Sequence, residues 1–177
     1  GPPRAQGQNE SNAAARRALL DQAEAAYERR DHARALDLAQ RALQLGSSPS
    51  VRLFIAEKHA ALNHFAQALG SADLCVRDAQ REGMPSRHPV VDRCTRLLHS
   101  LRERVAFVRV FVPESMQSYL HVQIEDSEVP PAVLGEPYVV NPGAVRVALL
   151  SSDRERELGR TVTVRAGQTG EVRFELD

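Results

Sequence analysis

Two cysteines and six histidines are the residues with the sharpest chemistry in this chain, and their spacing limits what they can do. Cys75 and Cys94 do not form a Cys-x-x-Cys pair, which argues against a redox or zinc motif. If two helices flank a turn around Gly83, Pro85 and Ser86, each cysteine lies about six residues from that turn, roughly 9–10 Å along its helix. The two are then level on antiparallel neighbours, both on apolar faces. A disulfide fits that placement and would close a loop of about 20 residues, adding on the order of 3 kcal/mol. Two reduced, buried thiols acting as small apolar fillers satisfy the same spacing.

The histidines are His32, His59, His64, His88, His99 and His121. No two of them stand at the i, i+4 helical spacing of a metal motif, so no metal site is expected. There is no Gly-x-Ser-x-Gly, no phosphate-cradling glycine loop and no His-Glu-x-x-His. The expectation is a protein that is not an enzyme and needs no cofactor.

The elements that would position these residues change character along the chain. Residues 1–10 are rich in Gly, Pro, Gln and Asn without apolar spacing, and read as a disordered lead-in. From Ser11 to Leu45 Ala and Leu recur at helical spacing, with a turn at Arg30-Asp31. Gly46 to Ser50 stops that pair. A second pair follows over 51–62 and 65–81, broken at Asn63-His64. The helix from about Pro89 to Val105 is the most clearly amphipathic, with Val90, Val91, Cys94, Leu97, Leu98, Leu101 and Val105 on one face. The apolar period then switches from about 3.6 to 2. Five or six strands are expected, over 107–112, 119–124, 138–140, 144–150, 160–165 and 171–176, separated by turn residues such as Asn141-Pro142-Gly143. The fold class is therefore α+β in two parts: about five helices forming antiparallel hairpin repeats over 11–105, then a small antiparallel β-sandwich over 106–177.

Lys+Arg and Asp+Glu are equal at 23 each, so there is no net field to attract a polyanion, and nucleic acid is not an expected partner. No apolar run reaches the roughly 20 residues that span a bilayer. Gly1-Pro2 resembles what a protease leaves after tag removal, which leaves open a targeting segment, an anchor or further domains outside these residues.

The helical part repeats internally. Ala23, Ala35, Ala39 and Ala42 correspond to Ala56, Ala68, Ala72 and Cys75 at a constant offset of 33 residues. Small residues at such points let helices approach closely. The run from Ala25-Ala26-Tyr27 through His32-Ala33-Arg34-Ala35-Leu36 to Ala42-Leu43 resembles a tetratricopeptide repeat, and the segment from Ile55-Ala56 to Cys75 resembles a second copy. Where that family carries a large aromatic near the repeat start this chain has Leu19 and Arg52, and where it has a closing proline, Ser47 and Gln80. The β part resembles PEGA-type surface domains through Pro137 leading into Tyr138-Val139-Val140, then Asn141-Pro142-Gly143, Val145-Arg146-Val147 and the final pair around Ala166-Gly167. Glu125-Asp126-Ser127 stands where that family has an Asp-Gly turn.

This order of parts resembles a cell-envelope arrangement of GC-rich bacteria, exported and often membrane-tethered. The resemblance implies an extracytoplasmic, non-catalytic scaffold whose partner is a protein or peptide, and it favours the Cys75–Cys94 bridge. It also implies that the first helix of each hairpin lines the binding side, which places Arg17, Asp21, Glu24, Tyr27 and Glu28 there together with Leu53, Phe54 and Glu57. The alternative is a carbohydrate- or peptidoglycan-binding module using the β domain, against which stand the lack of tryptophan and the presence of only three tyrosines.

Overall fold

The computed structural model describes residues 3–175, with side chains from Gln6 onward. Among the described residues five α-helices precede seven strands in two sheets, and the chain divides into two compact units between Leu101 and Arg102. Each unit has its own core.

In the first unit, α1 (Pro3–Glu28) and α2 (His32–Gln44) form one hairpin, and α3 (Pro49–Ala61) and α4 (Phe65–Arg81) form a second. The single helix α5 (Pro89–Arg102) follows. Helix α1 begins at Pro3, so the part of the expected lead-in that lies within the described residues is helical. Proline is suited to a first helical turn, where its missing N–H has no intrahelical partner to lose. Gln6, Gln8 and Glu10 are good helix formers, and adding turns to an existing helix is far easier than nucleating one.

Helical periodicity becomes packing at the 33-residue offset. All eight residues of the repeat, Ala23, Ala35, Ala39, Ala42, Ala56, Ala68, Ala72 and Cys75, are fully buried. The offset extends to the backbone of the turns. Arg30 and Asn63, again 33 apart, both adopt the left-handed region, at φ 62° and 61°. In both turns an amide reaches back five residues, Asp31 N–H to Ala26 C=O and His64 N–H to His59 C=O, each at 2.9 Å. These are Schellman-type helix ends, satisfying carbonyls that the helix itself leaves open.

The apolar face of α5 meets the second hairpin. Leu98 and Leu101 join Ala56, Ala68 and Ala72 in one cluster, and Cys94 joins Cys75 and Leu53 in another. Cys75 and Cys94 form a disulfide with Cα atoms 6.2 Å apart. Helix α5 stops at Arg102, leaving Val105 outside it.

The second unit is a two-sheet β structure. One sheet has the order β4-β1-β7, from Tyr138–Val140, Ala106–Phe111 and Thr169–Arg173; the other has the order β3-β2-β5-β6, from Ser127–Val129, Leu120–Ile124, Gly143–Ser151 and Glu157–Val164. The core alternates along the strands, with Val108, Val110, Val122, Ile124, Val145, Val147, Val172 and Phe174 inward. Two features differ from the expected antiparallel sandwich of five or six strands. β3 is an additional strand, closing a hairpin with β2 through the two residues Glu125 and Asp126. β7 pairs with β1 in parallel, from Phe107 opposite Thr169 to Phe111 opposite Arg173. The chain crosses to the first sheet at β4, back to the second for β5 and β6, and again to the first at β7, which lies beside β1 on the side opposite β4.

The backbone of β7 lies very close to β6. A Cβ built on Gly170 would stand 2.6 Å from a methyl of Val164 and 3.1 Å from one of Val162. Only glycine fits there.

Candidate functional site

Helices α1 and α3 border two adjoining hollows in the first unit. One, of about 380 Å³, is lined by Glu24, Tyr27, Glu28, Leu53, Phe54 and Glu57, with Lys58 of α3 and Arg93 of α5 among its other walls. The second, of about 640 Å³, is lined by Arg17, Asp21 and Glu24 from α1, with Ser48, Ser50 and Val51 opposite. Leu20, Glu24 and Ser50 belong to both. All eight residues expected on the binding side therefore border this continuous surface.

They do not all contribute as expected. Leu53 and Phe54 are buried, at 4% and 7% exposure, because α3 lies between α2 and α4 and offers little open surface. Phe54 belongs to the core of the first hairpin, and Leu53 packs beside the disulfide. They form a floor and not an exposed aromatic platform. Tyr27 is half-buried and held on two sides. The Lys58 ammonium sits 3.9 Å from its ring centroid, and the His32 ring meets it edge-on at 5.2 Å. Lys58 also lies 4.9 Å from the Phe54 centroid, so one cation is shared by two rings.

What the surface presents is charge. The guanidinium of Arg93 donates to both carboxylate oxygens of Glu57, at 2.8 and 2.7 Å, tying α5 to α3 across one wall. Among the described ion pairs none involves Asp21, Glu24 or Glu28, which line α1 at helical spacing. Exposed carboxylates backed by a fixed apolar floor suit a segment that carries both a basic and an apolar side chain.

One polar centre was not anticipated. Asp78 of α4 is the sole buried charged residue among those described, at 3% exposure. It accepts hydrogen bonds from the Ser47 hydroxyl, from Arg52 Nε at 3.2 Å and from the Arg81 guanidinium. Burial alone would raise its pKa. The three donors outweigh burial and hold the carboxyl below its ordinary value of 3.8. The cluster joins the α2–α3 loop, α3 and α4, tying the two hairpins together. Its signal in the sequence is an acid three residues after Cys75, on a stripe otherwise made of Ala and Cys.

A second polar contact closes the turn between α3 and α4, where Nδ1 of His59 and Nδ1 of His64 are 3.4 Å apart. Burial, and after it the neighbouring His64, hold the His59 imidazole below its ordinary value of 6.5, so it is neutral at pH 7. Among the described residues no group of three or more metal-ligating side chains assembles.

On the β unit, Arg154 and Glu157 of the 153–157 segment make ion pairs, and Asp153 accepts hydrogen bonds within its own turn. Arg154 reaches Glu128 at 2.9 Å, Glu157 pairs with Arg146, and Asp153 accepts the Glu155 amide at 3.0 Å. Glu128 also contacts His121 Nδ1 at 2.9 Å. These contacts fix the β5–β6 turn.

No protein-family model, curated protein or solved structure matches the chain. No described helix is long and apolar enough to cross a membrane.

Proposed function

We propose that this chain is a non-catalytic interaction scaffold of the bacterial cell envelope, holding a segment of a partner protein along α1 and α3. The observation that carries the reading is the continuous surface bordered by all eight residues from Arg17 to Glu57. The partner segment places a basic side chain against Glu24 and Glu28 and apolar side chains over the floor of Leu53 and Phe54. In this reading the hairpins are tetratricopeptide-like repeats and the β unit is a PEGA-like spacer or second docking face. The Cys75–Cys94 disulfide supports an oxidising compartment, since such bonds persist outside the cytoplasm and are rare within it.

A photo-crosslinking residue at position 24, expressed in the cells of origin, tests this. The expected result is a discrete protein adduct that a Glu28→Lys change reduces at least tenfold, and that is missing when the crosslinker stands at Arg77 on α4. Retention of the purified chain on insoluble wall polysaccharide, with no adduct at 24, refutes the proposal in favour of a carbohydrate-binding role.

A further inference from the structure

The two hairpin turns have the same backbone, so the first shows what the second would look like with ordinary residues. In the first turn the residues brought together by the left-handed cap are Ala26 and Asp31. Ala26 fills core space, and Asp31 caps α2 by accepting the Arg34 amide at 3.2 Å. The corresponding residues of the second turn are His59 and His64. His64 stands at the N-cap of α4 but makes no side-chain cap bond. The second turn thus lacks the capping hydrogen bond, typically worth about 1 kcal/mol, and carries two neighbouring imidazoles instead, their rings tilted by 48° with centroids 5.6 Å apart. Their proximity follows from the backbone: a Schellman-type end places the side chains five residues apart against each other.

We infer that His59 and His64 form a two-imidazole site for a borderline divalent transition metal such as Zn²⁺, Ni²⁺ or Cu²⁺. Two metal–nitrogen bonds of about 2.1 Å meeting at near-tetrahedral angles span about 3.4 Å, and the two Nδ1 atoms are 3.4 Å apart. Without metal, one ring's Nδ1–H donates to the other's lone pair. On binding, both Nδ1 lone pairs turn to the metal and each ring carries its proton on Nε2. The site lies where the C-terminal end of α3 meets the N-terminal end of α4, so the two helix dipoles oppose each other there and give no net preference for a cation. The nearest cationic side chain in sequence, Lys58, is held away over Tyr27 and Phe54. Water completes the coordination, so the site is of modest affinity and suited to exchange.

Titration calorimetry with ZnCl₂ and NiCl₂ on the untagged full chain tests this, with the electron paramagnetic resonance spectrum of added Cu²⁺ as a second readout. The expected result is one metal per chain with a micromolar dissociation constant and a spectrum of two equatorial imidazole nitrogens. His64→Asn, which restores a capping side chain, weakens binding at least tenfold and leaves one nitrogen. The double change His59→Ala/His64→Asp copies the first turn, folds as that turn does, and removes specific binding. The inference is overturned if no saturable binding occurs below millimolar metal. It is equally overturned if the double variant binds as the parent does, or if His121→Ala alone abolishes binding, which would move the site to the His121–Glu128 contact.

Discussion

Reducing the Cys75–Cys94 bond tests how the helical unit is held together. The cysteines are 19 residues apart in sequence and link α4 to α5. Chain-entropy reasoning assigns a loop of about 20 residues close to 3 kcal/mol, acting through the unfolded state. For a unit of roughly 100 residues the urea slope is about 1–1.5 kcal/mol/M, so loss of the bond lowers the midpoint by about 2–3 M. Both cysteines are fully buried, so reductant acts slowly on the native state and the comparison requires reduction under denaturing conditions followed by refolding. Ellipticity at 222 nm follows the helical unit selectively, since all five α-helices belong to it. A Cys75→Ala/Cys94→Ala chain provides the second comparison and unfolds earlier still, because it also loses buried sulfur contacts. Reduced and oxidised chains with midpoints within 0.5 M would refute the loop-closure account. So would labelling of free thiols in the unreduced protein.

Replacing Asp78 by Asn removes the buried charge and turns one of its two acceptor oxygens into a donor that faces Ser47, Arg52 or Arg81, and is expected to destabilise the helical unit by about 2–3 kcal/mol at pH 7, read by urea unfolding. Because the folded carboxyl titrates below 3.8, its contribution is present above that value and is lost as pH falls through the lower folded value. The gap between parent and variant is therefore flat from pH 7 to pH 5 and narrows below about pH 4; a gap that persists undiminished at pH 2 contradicts the assignment. Gly170→Ala is expected to destabilise the β unit by about 1–3 kcal/mol, since the new methyl meets Val164 and Val162 on the core side. Gly70→Ala, in the interior of α4 with nothing within 4 Å of the added Cβ, is expected to stabilise the helical unit by about 1 kcal/mol. Calorimetric melts that rank the two glycine variants in the opposite order would refute both.

Where local chemistry decides structure, the sequence is readable. The breaks at Arg30-Asp31 and Asn63-His64, the apolar stripe of α5 and the switch of period near residue 105 each follow from side chains a few positions apart. Long-range pairing does not. The parallel match of β1 with β7 joins strands about 60 residues apart, and period-2 alternation carries no direction. β3 has only Val129 turned inward, too little to mark a strand. The eight residues expected on the binding side all border the hollows along α1 and α3. Yet the offset of 33 also fixed where α3 lies between its neighbours, and that buries Leu53 and Phe54 and leaves Asp21, Glu24 and Glu28 as the accessible chemistry. The i, i+4 spacing of a metal motif assumes an unbroken helix, so it does not single out His59 and His64. The left-handed residue Asn63 brings i and i+5 together.

Comparing the two hairpins also explains why the disulfide stands where it does. Ala42 and Cys75 occupy the same position, both fully buried. Ala42 lies in a cluster with Val51, Phe54 and Ile55 of α3, so the first hairpin is covered by a second hairpin. Cys75 instead faces α5, a single helix with no partner of its own in the helical unit. A hairpin brings two apolar faces and a turn to a stack, whereas one helix of 14 residues brings one stripe, here Val91, Cys94, Leu98 and Leu101. Isolated helices of that length are marginal in water. Association through one stripe is weaker than through a hairpin, and a covalent link acting on the unfolded chain compensates at the point where the repeat runs out. The bond therefore belongs to the end of the stack. An additional hairpin in place of α5 would make it dispensable, and its loss in the present chain should release α5 before either hairpin opens.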